Sequence, residues 1–323
     1  MSDSALTSWD ASFVDVLGDA PQLARVVDVD AHEGPVYVAD EDALYFTSLP
    51  RGTAVDIKRL ALATLSVETV RANANAANGM TLGRDGRLVI CEQGTPSSHG
   101  QITALDPATG DVETVVDSWR GLRFNSPNDV VVRRDGSIWF TDPSYGHLQG
   151  FKPEPLVGDY VYRHDPRTGQ TAPVADSFVK PNGLAFSPDH SVLYVTDSGA
   201  NQEAGSFYPS LPHHIVAFDV SADHRHLSSE RLFAVTSPGF PDGIKVDSEG
   251  RVYASSFAGV QVLTPQGDLI GEINLPGAIN FAFGGAERNT LYITADSAIW
   301  AATLNARGPE THQAHECQPT QGA

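Results

Sequence analysis

The sequence predicts an all-β chain folded as a six-bladed β-propeller, on three observations. The first is a hairpin between Asn125 and Asp142. It opens on Asn125, Asn128 and Asp129, continues through the β-branched run Val130–Val132, turns at Asp135 and Gly136, and ends in Ile138, Trp139, Phe140, Thr141 and Asp142. A β-branched run, an Asp-Gly turn and an aromatic run make a β-hairpin. The second observation is recurrence. The same grammar begins at Asn78, Asn182 and Asp242, and in degenerate form at Glu33 and Asn280. The third is spacing, since these six lead residues stand 38 to 60 residues apart. A period of about 40–50 residues holding several short strands marks a propeller.

In chain order, each unit should supply four strands. The second shows them in full, as Met80–Gly83, Leu88–Glu92, Gln101–Leu105 and Val112–Asp117, with a turn from Asp106 to Gly110 before the last. The third repeats it through Asp159–Arg163 and a turn from Asp165 to Gly169. The sixth has Asn280–Phe283, Leu291–Thr294 and Ile299–Ala302, but no outer strand. The segment Gln22–Val29 stands ahead of Glu33 where an outer strand would be. It is expected to pair onto the sixth blade, closing the ring and removing an exposed sheet edge. The domain reading is an extension over 1–21, one propeller over 22–304 and a disordered tail over 305–323.

Composition agrees with one packed ring. Of 323 residues 41% are hydrophobic and 19% charged, and the 29 glycines and 21 prolines suit many tight turns. Cys91 and Cys317 make no disulfide framework and are expected to be free. The net charge of −19 argues against nucleic acid or an anionic membrane as partner, because both need a basic surface. The N-terminal stretch has neither a basic nor an apolar signal region, and no run is long enough to span a bilayer; the expected compartment is the cytoplasm.

Chain direction locates the working face. The connections from outer strand to next innermost strand, and from second to third strand, share the face that holds the lead residues. Two of the latter are long: Pro143–Gly158 carries Tyr145, His147 and Phe151, and Ser198–Pro212 carries Phe207 and Tyr208 and is followed directly by His213 and His214. Long loops on one face of a rigid scaffold commonly carry function. The lead side chains should converge on the axis, where Glu33, Asn128, Asn182 and Asp242 present oxygens. Two carboxylates in a narrow pore are costly without a counter-charge. An all-oxygen set favours Ca²⁺, Mg²⁺ or Mn²⁺ over Zn²⁺. The bland alternative is that Asn-Gly and Asp-Gly are turn formers at strand entries, which leaves Glu33 unexplained. Asp142 and Asp197, at second-strand ends, are expected to bond neighbouring loops.

With these residues in view the sequence resembles the gluconolactonase/regucalcin (senescence marker protein) family. The resemblance rests on Glu33-Gly-Pro-Val36, Asn125-Ser-Pro-Asn128, Phe140-Thr-Asp-Pro-Ser-Tyr-Gly146, Lys180-Pro-Asn-Gly-Leu184 and Pro241-Asp-Gly243, in order from about residue 22 to 304. It implies a six-bladed propeller that hydrolyses lactones with one divalent cation, Ca²⁺ first. The ion would lie on Glu33, Asn182 and Asp242, with Asn128 binding metal or substrate. It also implies an Arg-Phe-Asn sugar contact, whose letters here are Arg123, Phe124 and Asn125. On this reading the cation polarises the lactone carbonyl, and Asp242 is both ligand and general base, no histidine being expected in the pore. Tyr145, Phe151 and Tyr208 should form an apolar rim, with Asn125 and Asn128 reaching the ring oxygens. A serine-nucleophile mechanism has no G-x-S-x-G elbow to support it. The rival classes are an organophosphate or other ester hydrolase on the same ion, and a cation-binding interaction module.

Overall fold

The β-branched and aromatic runs pair into six antiparallel four-stranded sheets arranged as blades around a central channel. The computed structural model describes residues 5–310 apart from residue 204. Blade 1 is Val36–Val38, Ala43–Thr47, Ile57–Ala61 and Ser66–Arg71, and blade 2 is Ala77–Leu82, Leu88–Glu92, Gln101–Leu105 and Val112–Val116. Blade 3 is Val130–Val132, Ile138–Asp142, Tyr160–Asp165 and Gln170–Ala175. Blade 4 is Pro181–Phe186, Val192–Asp197, His214–Val220 and Leu227–Val235. Blade 5 is Ile244–Val246, Val252–Ser256, Gly259–Leu263 and Leu269–Asn274. Blade 6 takes Asn280–Gly284, Thr290–Thr294 and Asp296–Thr303 from the end of the chain. Its outer strand is Gln22–Ala31, paired antiparallel from Gln22 opposite Thr303 to Ala31 opposite Asp296. The ring is therefore closed by the N-terminal strand, as the sequence predicts.

The core is not central. It consists of six apolar layers, one between each pair of neighbouring blades. The strand period of two explains this, because alternate side chains leave a sheet on opposite faces. In Ala43–Thr47, Leu44 and Phe46 pack towards blade 6, while Ala43 and Tyr45 pack towards blade 2. All five residues of that strand are buried. Four of the blades' second strands share this fully buried pattern.

The first twenty residues depart from the expected plain extension. Leu6–Ser8 adds a fifth strand to blade 5, with Leu6 opposite Ile273. A short helix, Phe13–Leu17, then drives Phe13 and Val16 into the layer between blades 5 and 6. Gly271 makes room for it, since a β-carbon there would lie 2.3 Å from the Phe13 ring. A three-residue strand and a five-residue helix are too short to show a period in sequence. The other end is also packed further than expected. Asn305 and Ala306 both donate backbone N–H to Val16, and Gly308 donates to Arg288. The rest of the predicted tail, from residue 311 with Cys317, lies outside the described residues, and Cys91 is free and buried. Among the described residues no helix is long and apolar enough to cross a membrane.

The N-terminal segment thus serves two blades. A chain lacking residues 1–30 is expected to be insoluble, because blade 6 then presents a bare edge. Phe13→Ala should keep the ring closed but cost about 3–5 kcal/mol in urea unfolding, the range for deleting a buried aromatic side chain. Unchanged stability would show that the helix merely rests on the ring.

Candidate active site

The site is built where the chain enters each innermost strand, and one residue type fixes those entries. Thr47, Thr141 and Thr294 close the second strands of blades 1, 3 and 6. Their backbone carbonyls accept N–H bonds from His32 (2.8 Å), Asn128 (2.9 Å) and Ile279 (3.0 Å), within the same blade. Their side-chain hydroxyls donate to the next blade's entry: Thr47 to Asn78 O (3.3 Å), Thr141 to Asn182 O (2.8 Å) and Thr294 to His32 O (2.7 Å). Thr196 of blade 4 donates to Asp242 O at 3.0 Å. In blade 5 Ser255 takes the role in reverse, accepting from Asp242 N at 2.9 Å.

Glycine follows four of the lead residues for a related reason. A β-carbon on Gly79 would lie 2.6 Å from Asn128 O, and one on Gly183 would lie 2.3 Å from Asp242 O. Neither glycine has a positive φ. These Asn-Gly pairs are therefore not turn formers; they let neighbouring blades approach backbone to backbone.

The lead residues Glu33, Asn78, Asn128, Asn182 and Asp242 consequently line one cavity of about 490 Å³ at this end of the channel. Gln93, Tyr145, Gln149 and Asn201 reach it from second-to-third-strand connections, and Phe240 and Phe257 wall one side. Asn182 Nδ2 donates to Ser198 Oγ (3.1 Å) and to Tyr145 Oη (3.4 Å). Glu33 Oε2 accepts from Asn280 Nδ2 (2.7 Å) and Gly34 N (3.0 Å).

Electrostatics single out Asp242. Burial, and then the Glu33 carboxylate beside it, push its pKa well above the ordinary carboxylate range. Burial likewise raises the Tyr145 hydroxyl, with Asp242 adding to the effect. His32 also lines the cavity, and its Nδ1 lies 2.7 Å from Asp296 Oδ1. Burial alone would lower the His32 pKa, but Asp296 and Glu33 raise it above its usual value. The expectation of a pore without histidine is thus corrected, since His32 stands directly before Glu33 in the chain.

The SMP-30/Gluconolactonase/LRE-like region matches residues 31–297, which is nearly the whole ring. The chain belongs to this family. Its relatives include lactonohydrolase oryL of Aspergillus oryzae, 32% identical over 312 residues that cover 88% of this chain and 70% of that protein. The gluconolactonase of Zymomonas mobilis is 30% identical over 84% of this chain and 78% of its own. Among solved structures, a gluconolactonase from Xanthomonas campestris superposes with a TM-score of 0.80 at 33% identity, covering 94% of this chain and 96% of that one.

The other predicted site residues of this family member are placed as follows. Asn125 is buried and its Nδ2 donates to the carbonyls of Asp142 (3.2 Å) and Gly158 (3.1 Å), so it ties down the long blade 3 loop instead of facing the cavity. Arg123 lies on a small exposed hairpin with Ser118, ion-paired to Asp117, and does not line the cavity. Tyr208 is exposed on the outside of the second loop, where its hydroxyl donates to Glu203 at 2.6 Å. The apolar rim is instead Phe240 and Phe257, with ring centroids 5.2 Å apart and Phe207 5.6 Å beyond Phe257. Asp142 and Asp197 do bond loops. Asp142 accepts from Asn125 N and Ser126 N, and Asp197 from Val179 N, Lys180 N and Gly199 N. Burial lifts the Asp142 pKa to about 7.

The donor set fits a hard divalent cation. Two carboxylates share the cavity with amide oxygens, and Asn78 Oδ1 is buried there without a partner. No thiol lines it. Oxygen-rich sites of this kind suit Ca²⁺ or Mg²⁺. Because Gly183 presses on the Asp242 carbonyl, Gly183→Ala is expected to destabilise the fold by about 1–3 kcal/mol in denaturant titration. A neutral outcome would mean that the blade entries are slack.

Proposed function

We propose that this chain hydrolyses a lactone to its hydroxy acid in this cavity, using one divalent cation, Ca²⁺ first, on Glu33, Asn128, Asn182 and Asp242. The observation that carries the reading is the convergence of two carboxylates with amide side chains on one enclosed space. The named lactonases and gluconolactonases among its relatives support it. When bound, the cation would supply Lewis-acid polarisation of the carbonyl and a more acidic water.

The chain's own groups do the rest. Asp242, which lines the cavity with Glu33, would be the group that takes a proton from that water. Gln93, Gln149 and Asn201 can each donate and accept, which matches sugar hydroxyls. No arginine or lysine lines the cavity, which disfavours an anionic substrate. Phe240 and Phe257 exclude water from one side and present an apolar surface to the ring. A sugar lactone such as gluconolactone meets both halves of this lining.

Glu33→Gln and Asp242→Asn are expected to abolish turnover across a lactone panel followed by pH-stat. Both should also remove the rise in melting temperature that added Ca²⁺ gives the wild type, because a ligand stabilises only the folded state it binds. A wild-type melting curve indifferent to chelator and to Ca²⁺ overturns the cation reading. Wild type inactive on every lactone with every divalent ion overturns the activity.

The rim is tested separately. Phe257→Ala should raise KM for aliphatic lactones about tenfold, within the 1–3 kcal/mol typical of a lost apolar contact, and leave a polar sugar lactone nearly unaffected. An unchanged ranking of substrates would remove Phe257 from the binding surface.

A further inference from the structure

The channel has a second mouth on the opposite face, with its own cavity of about 770 Å³. The two cavities share no lining residue. Five of the lead residues line the first, and residues two or three positions further along the innermost strands line the second. Its walls are apolar, from Val36, Met80, Val130, Leu184, Phe186 and Phe283.

Its rim collects cations that make no direct ion pair, although Lys245 also lies in the field of the buried Asp129 carboxylate. The sequence has 21 Lys and Arg against 40 Asp and Glu, so a cation without a carboxylate partner is unusual here. Among the described residues seven cations have none: Arg84, Arg120, Arg134, Lys152, Arg225, Lys245 and Arg288. The other fourteen are ion-paired. Four of those seven, Arg84, Arg134, Lys245 and Arg288, line this one cavity. Three of them are held in place by neutral acceptors, which fix geometry without cancelling charge. Arg84 Nη1 donates to Arg134 O at 2.6 Å, and Arg134 Nη2 donates onward to Pro188 O in the next blade. Lys245 Nζ donates to Ile244 O (3.0 Å) and Asn280 Oδ1 (3.2 Å).

A fifth cation in the lining, Arg133, is 6% exposed, and its Nε has no hydrogen-bond partner. Its one carboxylate contact is Asp135 at 3.2 Å. The acidic residues of the lining are Asp42, which accepts from Tyr37 Oη at 2.9 Å, and Glu310. Positioned guanidinium groups above an apolar wall select a carboxylate or similar anion with a hydrocarbon body.

We propose that this mouth is a second binding site, for a small organic anion with an apolar body, whose charge is received by Arg84, Arg134, Arg288 and Lys245. It is independent of the reaction proposed at the other mouth. A membrane surface is a poor alternative source of the anion, because the chain's net charge of −19 opposes approach to anionic lipid.

The test is calorimetric titration of the full chain with octanoate below its micelle concentration, beside octan-1-ol and octylammonium. Octanoate is expected to bind, with affinity falling as salt rises, and the neutral and cationic probes to bind at least tenfold more weakly. The triple variant Arg84→Gln, Arg134→Gln, Arg288→Gln changes side chains at the surface of the mouth and should fold normally. It should weaken octanoate at least tenfold, equivalent to about 1.4 kcal/mol, and leave octan-1-ol unchanged. Phe257→Ala, which alters only the first cavity, should bind octanoate as wild type does. Equal binding of octan-1-ol, undiminished octanoate binding by the triple variant, or no octanoate binding at all each overturns the proposal. Loss of octanoate binding in Phe257→Ala would do so too, by moving the anion to the other mouth.

Discussion

The fold depends on a fastening between blades that is made at the channel. An innermost propeller strand has neighbours on one side only, so its entry carbonyls need a hydrogen-bond donor from elsewhere. At four of the six junctions a threonine at the end of the previous blade's second strand supplies it. The same residue uses its backbone carbonyl for its own blade's entry and its hydroxyl for the next, as Thr141 does with Asn128 N and Asn182 O. Thr294 makes this link to His32 O and so seals blade 6 to blade 1 near the axis, while Gln22–Ala31 seals it at the rim. A hydrogen bond of this kind is worth about 0.5–1.5 kcal/mol, too little to assemble a ring. Its effect is positional: it fixes the backbone from which each pore side chain departs, and the apolar layers supply the cohesion.

Once the entries are fixed, the charge in the pore cannot relax by moving apart. Asp142 and Asp197 are buried carboxylates too, but backbone N–H groups surround them, and they serve as loop anchors. Glu33 receives only two bonds, both to Oε2, and Asp242 stands close enough for its protons to feel it. The first pair is therefore accounted for by loop anchoring, whereas the second is not, and it is the second to which the proposed reaction is assigned. A site that stays electrostatically unsatisfied lowers stability, which a fold keeps only where binding repays it.

Much of this was legible because it repeats. Six copies of one hairpin, with a lead residue at each entry, gave the blade number, the closure and the cavity's axial residues. What escaped was local. Phe240 and Phe257 sit in short connections, two residues before Asp242 and just after Ser256, whereas attention falls on long loops. Tyr208 looked suited to the rim by composition, but its hydroxyl is turned to Glu203. Asn125 and Arg123 carried the right letters one turn too early: one binds loop carbonyls and the other an exposed aspartate. His32 was hidden by its neighbour, because Glu33 accounted for the motif. The threonine fastening was visible as Phe-Thr-Ser, Phe-Thr-Asp, Val-Thr-Asp and Tyr-Ile-Thr at strand ends, yet β-propensity explains threonine there equally well.

The channel is also polarised along its axis. Two carboxylates line each mouth, but among the described residues Lys and Arg line only the second, and Lys245 reaches from there towards Glu33. It does not neutralise Glu33, because Asn280 stands between. The amide oxygen of Asn280 accepts from Lys245 Nζ, and its amide nitrogen donates to Glu33 Oε2. Asn280 is 1% exposed, so water screens the middle of this relay little, while Lys245 faces the second cavity. An amide in that position passes on a dipole while keeping a full ion pair from forming. Glu33 is thereby left without a direct Lys–Glu bridge, and the proposed cation would meet a carboxylate that no lysine has already neutralised.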